Sequence, residues 1–289
     1  MIQPLLKDEA FLADVQKTAA EPDSLHTWWL GQSGFLVAWR GSFLLLDPYL
    51  SDSLTKKYAG TDKPHVRMTE RVVAPEALDF VDVVTSSHNH TDHLDGETLG
   101  PLLSVNPNLT VLVPRANWAF AAERLAVPPE RLQPIAVGTP ATVGAFTFHA
   151  VPAAHEALET DEEGNHRFIG LVVEFGPLTV YHSGDTVRYP GMAQGLRQWR
   201  IDLALLPING ADPARGVAGN LSGPEAVQLA RDMGAGVVIP CHYEMFTFNT
   251  ASPAAFIAAA ESAGQAYRLL RAGERLSLPA DSETNSRNY

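Results

Sequence analysis

Within six residues, His88-Asn89-His90-Thr91-Asp92-His93 gathers three imidazoles and a carboxylate. Imidazole nitrogen and carboxylate oxygen are the donors that suit zinc, and also manganese or iron. The run follows an apolar, strand-like stretch at residues 81–85. In an extended backbone His88, His90 and Asp92 would share one side and His93 would face elsewhere. A turn after His90 would carry Asp92 and His93 to a second point, so one cluster can serve two adjacent ions. The chain has only ten histidines in 289 residues, so composition alone does not account for the cluster. A catalytic metal takes three or more protein ligands and keeps a position for water, which predicts further ligands at other strand ends. His155, Asp185 and His242 each follow a strand-like run. With the first cluster they make five histidines and two aspartates, a set that suits two metal ions.

Two divalent cations about 3.5–4 Å apart can share one water and lower its pKa toward neutrality. The resulting hydroxide attacks a carbonyl carbon or a phosphorus, and the metal nearer the leaving oxygen stabilises the developing charge. Asp92 is the candidate to pass a proton to the leaving group. His182, three residues before Asp185, either orients the site or caps a buried strand. Tyr243 and Tyr189 are candidates for hydrogen bonding to substrate, and Arg188, Arg215 and Arg115 for holding an anionic one. Cys241 adjoins His242 but, as its neighbour on a strand, points the other way and reads as core filler. His166 sits by an acidic loop, residues 159–165, placed to overhang the site. His26, His65 and His149 have no supporting constellation.

The elements that must position these residues alternate between sheet and helix. Leu5, Leu6, Phe11, Leu12 and Val15 predict an amphipathic first helix, ended by Glu21-Pro22-Asp23. Strands are expected at residues 26–30, 34–39, 42–46, 81–85, 110–113, 132–136, 142–150, 169–175, 178–182, 203–206, 236–240, 267–270 and 276–278. Helices are expected at 116–126, 224–233 and 253–263. Residues 51–69, polar and holding Lys56, Lys57, Lys63, His65 and Arg67, read as a long functional loop. Sheet runs precede helices in both halves with no linker between them. The expectation is one α/β domain over residues 1–280, two sheets with outer helices, and a polar tail at 281–289.

The order His-x-His-x-Asp-His, then His155, then Ser183-Gly184-Asp185-Thr186, then His242 resembles the metallo-β-lactamase superfamily. Within it the chain is most similar to the ascorbate-6-phosphate lactonase-like branch. That closer likeness rests on residues 28–35 (WWLGQSGF), 181–185 (YHSGD), 202–206 (DLALL) and 213–217 (PARGV). The resemblance implies an αββα sandwich of two mixed sheets flanked by helices. It implies a first metal on His88, His90 and His155, a second on Asp92, His93 and His242, and Asp185 bridging them. Asp47 would orient the histidine loop without binding metal. The chain departs from the lactonases in having His155-Glu156 where they carry an aspartate in a Phe-Asp-Arg-Thr setting, and in being shorter.

A formal charge of −12, from 33 acidic and 21 basic residues, repels phosphate backbones and argues against nucleic acid as a partner. The single cysteine excludes an intrachain disulfide. The first twenty residues lack the apolar core of a signal peptide, and no run of apolar residues is long enough to span a bilayer. The sequence thus predicts a cytoplasmic dinuclear hydrolase of a small ester, lactone (including sugar-phosphate lactones) or phosphoester. Its cofactors would be two divalent ions, Zn2+ before Mn2+ before Fe, and a homo-oligomer is expected from the branch. The rivals are a phosphodiesterase or nuclease of the same fold, an iron-binding redox protein, and a binding protein that has lost catalysis.

Overall fold

The structure, a computed structural model, describes residues 1–212, 214, 216 and 218–280. The expected polar tail and Arg215 lie outside the described residues. Strands β1 (Ser24–Gly31), β2 (Gly34–Trp39) and β3 (Ser42–Leu46) form an antiparallel meander. Parallel to β3 run β4 (Val83–Thr85), β5 (Thr110–Pro114) and β6 (Leu132–Ile135). The last strand, β13 (Arg275–Pro279), closes the far edge against β1 and completes a seven-stranded sheet. The second sheet has six strands. β7 (Ala141–Val143), β8 (Phe146–Pro152), β9 (Ile169–Phe175) and β10 (Leu178–His182) alternate in direction. β11 (Leu203–Pro207) and β12 (Val237–Cys241) run parallel to β10.

Runs such as Leu44-Leu45-Leu46 and Leu203-Ala204-Leu205-Leu206 are buried throughout, as expected of strands covered on both faces. One apolar cluster takes in residues of both sheets, including Leu44, Val83, Val111, Val173, Leu205 and Ile239. Burying each such side chain contributes about 1.5–3 kcal/mol. Helix α1 (Asp8–Lys17) covers the first sheet. Its Phe11 meets Trp28 edge-on at 6.2 Å, and Trp28 Nε1 donates to Asp14 at 3.0 Å. On the second sheet α6 (Gly223–Met233) starts at a Ser222/Glu225 capping box. It packs closely on α7 (Ala254–Ala263): a Cβ at Gly223 would stand 2.6 Å from the Phe256 backbone nitrogen.

Several expected elements are corrected. The first helix begins at Asp8, leaving Leu5 exposed. The loop at 51–69 contains a short helix α2 (Ser53–Lys57). The expected strand at 142–150 is two strands, because Gly144 turns with a φ of 57°. The expected strand at 267–270 is a single bridge, Val238 to Tyr267. Helix α3 (Gly96–Val105) was not expected, since Pro101 lies inside it. The expected helix at 116–126 starts as a 3-10 turn, Arg115–Asn117, before α4 (Trp118–Leu125). A short helix α5 (Met192–Leu196) was also not expected.

Candidate metal centre

Strands β1, β3 and β4 point the same way in the first sheet, and β8, β10 and β12 do so in the second. Their C-terminal ends deliver the chemistry to one edge. Gln32 lies in the turn after β1 and Asp47 follows β3. The 88–93 run follows β4, His155 follows β8, Asp185 follows β10, and His242 follows β12. After β4 the chain does not stay extended. It turns at His90, whose carbonyl accepts from His93 N at 3.1 Å and Leu94 N at 2.8 Å. Asp95 then caps α3 through Glu97 N. The Asp185 loop reaches this turn because residue 184 is glycine. Its φ is 59°, and a Cβ there would lie 2.8 Å from both the Ser87 Oγ and the Ile169 carbonyl.

Two groups of donors converge. The ligand atoms of His88, His90 and His155 lie within 4.8 Å of one another, and so do those of Asp92, His93 and His242. Asp185 stands between the groups. One carboxylate oxygen is 3.3 Å from His93 Nε2; the other is 3.4 Å from His242 Nε2 and 3.7 Å from His155 Nε2. Asp92 Oδ2 is 3.7 Å from the Nε2 atoms of both His93 and His242. Two donors each about 2.0–2.2 Å from a tetrahedral ion stand about 3.3–3.6 Å apart, so these spacings fit. His88 Nε2, His93 Nε2 and Asp185 Oδ1 are also buried without a hydrogen-bond partner. Leaving such atoms unpaired costs about 1–3 kcal/mol each, and a shared cation removes that cost. The residues present can therefore hold metal. The ligand atoms of a third group, Asp47, His88 and His93, also lie within 4.8 Å of one another, but the hydrogen bonds of Asp47 give it another task.

Asp47 is fully buried and accepts from Thr85 Oγ1 at 3.0 Å, from Ser87 N at 3.0 Å and from the Ser87 hydroxyl. It also holds His93 Nδ1 at 2.7 Å, which turns His93 Nε2 toward Asp185. His155 Nδ1 lies 2.8 Å from the Gly219 carbonyl, which selects the Nδ1–H tautomer and frees Nε2. Gln32 Nε2 donates to Asp92 Oδ2 at 2.8 Å and lies 2.9 and 3.3 Å from the two nitrogens of His242. An atom that close to both ring nitrogens stands over the ring face. The in-plane lone pair of His242 Nε2 stays open. The Gln32 carbonyl accepts from Trp29 Nε1 at 2.9 Å and His242 N at 3.0 Å. Gln32, Asp47 and His242 all adopt left-handed backbone, with φ of 49°, 40° and 65°, a strain that persists where surrounding contacts over-determine it.

Burial opposes the Asp185 charge, but His93 and His242 outweigh it and hold the carboxyl well below its ordinary range. Burial likewise opposes charge on His93, while Asp185, Asp92 and Asp47 lift it well above 6.5. His88 goes the other way: burial, aided by His93 and His90, pushes it well below. His182 is lowered by burial against the charge of Asp47, and its Nε2 meets the Ser33 carbonyl at 2.9 Å. It touches the site through the turn that holds Gln32.

A span covering residues 43–243 matches the family model for the beta-lactamase superfamily domain. The chain belongs to that family. A metal-dependent hydrolase of the UPF0173 group from Alkaliphilus metalliredigens is 30% identical over 237 residues, covering 79% of this chain and 89% of the relative. A protein described as probable L-ascorbate-6-phosphate lactonase UlaG, from Escherichia coli, is 23% identical over 83% of this chain and 75% of its own length. The solved structure of the metallo-beta-lactamase fold protein YhfI from Bacillus subtilis superposes with a TM-score of 0.64 at 19% identity, over 89% of this chain and all of that one. The two mixed sheets flanked by helices are the superfamily's αββα sandwich, and the family span runs from before Asp47 to beyond His242.

The structure does not bring every candidate of this superfamily member to the site. Tyr243 is buried, stacked on Trp29 at 4.4 Å, and its hydroxyl donates to the Leu270 carbonyl; it is packing, because its strand-end position turns it into the core. Arg188 is paired with Asp232 on α6, and Tyr189 with the Pro152 carbonyl at 2.8 Å. Arg115 is exposed and His166 forms a bridge with Thr160; neither lines the metal cavity. Cys241 is buried, and burial pushes its thiol up. His65, set aside on sequence grounds, lines the cavity with Tyr58, stacked at 4.6 Å. Sequence reasoning missed Gln32 and Ser87, and placed Lys57 and Lys63 in a functional loop without assigning them to the site. A polar residue inside the Gly31–Gly34 turn, beside buried aromatics, was the one signal available for Gln32. No helix among the described residues is long and apolar enough to cross a membrane.

Proposed function

We propose that the chain is a metal-dependent hydrolase of small esters or lactones that uses two divalent cations, zinc before manganese before iron. His88, His90 and His155 would hold one, Asp92, His93 and His242 the other, with Asp185 shared. The observation that carries this reading is the convergence of buried, unpartnered lone pairs, on His88, His93 and Asp185, at one sheet edge. Bound there, two such cations would polarise a substrate carbonyl and bring the pKa of water toward neutrality. The protein's own part is orientation and proton handling. Asp47 fixes His93, the Gly219 carbonyl fixes His155, and Gln32 fixes Asp92. Asp92, with 13% of its side chain exposed, faces the cavity; as a carboxylate it would first take a proton from the attacking water and then hand that proton to the leaving alkoxide.

The cavity over this floor has a volume of about 270 Å3, small beside typical ligand pockets of about 300–1,000 Å3, so the substrate is a small molecule. A charge of −12 disfavours polyanions such as nucleic acid. The lactonase description of one relative supports ester opening over phosphodiester cleavage. The test pairs metal analysis of gently purified protein with a panel of lactones, aryl esters and bis-aryl phosphates. Two ions per chain and lactone or ester turnover at least 100-fold above phosphodiester turnover are expected. Less than one ion per chain with no gain on adding zinc or manganese would sink the metal reading; faster phosphodiester cleavage would sink the ester reading.

A further inference from the structure

His88 is buried at the base of the site. Its ring centre lies 4.1 Å from that of His93 and 5.2 Å from that of Phe168, and its Nε2 has no hydrogen-bond partner. Among the described residues its Nδ1 has one polar neighbour, the Ser87 Oγ at 3.0 Å. Counting protons decides which way that bond runs. The Ser87 hydroxyl has a single proton and donates it to Asp47 Oδ2. Asp47 is a carboxylate and returns none: it also accepts from Thr85 Oγ1 at 3.0 Å, Ser87 N at 3.0 Å and His93 Nδ1 at 2.7 Å. Ser87 Oγ can therefore only accept from His88, which must carry its proton on Nδ1 and keep the Nε2 lone pair bare. The opposite tautomer would face lone pair to lone pair at Nδ1 and bury an N–H at Nε2 with no acceptor.

We infer that Ser87 is a positioning residue whose hydroxyl extends the reach of Asp47 to His88, so that one buried carboxylate sets the tautomer of a histidine in each donor group. His93 is held directly and His88 through one intervening oxygen. The tautomer follows from the hydrogen bonds alone; its consequence for bound ions rests on the metal reading of the site. A direct carboxylate partner raises the basicity of a ligating imidazole, so His93 is the stronger donor and His88 the weaker. Ser86 supplies the contrast. Its hydroxyl, also buried, donates to the His88 carbonyl at 2.6 Å, which shapes the turn and leaves the ring alone. With alanine at position 87, no described residue would hold the Nδ1 proton of His88. The ring could then carry its proton on Nε2, the nitrogen a cation needs.

Nitrogen NMR of the metal-free full chain, labelled with 15N-histidine and held near pH 7, reads the tautomer directly. His88 is identified by the signals lost in His88→Gln. Wild type is expected to hold His88 at about 90% or more Nδ1–H. Ser87→Ala should lose that preference, with about a third or more as Nε2–H, and Ser86→Ala should keep it. Zinc is then added through a chelator buffer. The signals of His88, His90 and His155 report one ion, those of His93 and His242 the other. In Ser87→Ala the first set should need about tenfold more free zinc or beyond, and the second should stay within about threefold of wild type. Wild-type His88 protonated at Nε2 overturns the inference. So does a Ser87→Ala protein that keeps the wild-type tautomer, equal weakening of both ions in it, or a Ser86→Ala protein that loses the tautomer as fully. The expected tautomers in a protein that takes up no zinc would leave the hold of Ser87 on His88 standing and remove the metal reading.

Discussion

Replacing Gln32 with alanine should weaken one metal site and spare the other. The Gln32 side chain donates to Asp92 Oδ2 at 2.8 Å and covers the His242 ring, both in the group with His93. Among the described residues it makes no hydrogen bond to His88, His90 or His155. A hydrogen bond to a charged acceptor contributes about 1.5–3 kcal/mol. Asp92 is 13% exposed, so water replaces part of that bond, and about 1.4–2.8 kcal/mol remains as the expected loss, a factor of ten to a hundred in affinity. The backbone should not move. The carbonyl of residue 32 keeps its bonds from Trp29 and His242, and alanine meets the same left-handed φ that glutamine does. The assay is a chelator titration of zinc-loaded wild type and Gln32→Ala, counting ions released per chain at each step. One ion should leave the variant at ten- to hundredfold lower chelator activity, the other within threefold of wild type. Equal weakening of both ions, or no weakening of either, would refute the assignment of Gln32 to the Asp92–His93–His242 group.

Asp47→Asn should leave His93 and Ser87 without their shared acceptor. Breaking such a fully buried charge pair costs about 3–5 kcal/mol, read as a fall in Tm on the order of 10 °C, with weaker metal retention. Tyr243→Phe removes only the hydroxyl bond to Leu270, so about 1 kcal/mol of stability should go while kcat and KM stay at wild-type values. Stability of the metal-free protein should drop as pH falls. Burial holds His26, His65, His88, His90, His166 and His182 below 6.5, so the unfolded chain binds more protons than the folded one from pH 6.5 downward. His93, raised by its carboxylates, contributes in the opposite sense, but below pH 7 one group stands against six. A thermal melt series from pH 7.0 to 5.5 should therefore show a steady fall in Tm, and a flat or rising series would contradict the assignment.

The candidate metal ligands were legible because His88, His155, Asp185 and His242 each lie within three residues of the end of an apolar strand, with His90, Asp92 and His93 following His88 in one run, and strand ends are where this topology collects side chains. The His88–His93 run needed no long-range information at all. What could not be read were the residues whose role depends on who arrives opposite them. Gln32 is an ordinary turn glutamine until β12 brings His242 beside it. Tyr243 looked like a substrate contact by adjacency, yet the chain twists it onto Trp29. In the fold, β8 was legible from its alternation and β9 as a continuous apolar run, whereas α3 was hidden by Pro101, and the short β7 by the reading of one continuous strand through Gly144.

The ligand groups are drawn from both sheets, the 88–93 run from one and His155, Asp185 and His242 from the other. A chain with one cysteine has no covalent cross-link to hold two such layers together. Ions bound at this edge would act as cross-links, pinning segments distant in sequence and removing much of the freedom of the unfolded chain, as a disulfide closing a long loop does. Metal availability would then set how long the protein survives as well as how fast it works. Stripped of its ions, the sandwich would open first along the edge where the chemistry happens, and proteases would meet the histidine turn before any other part of the core.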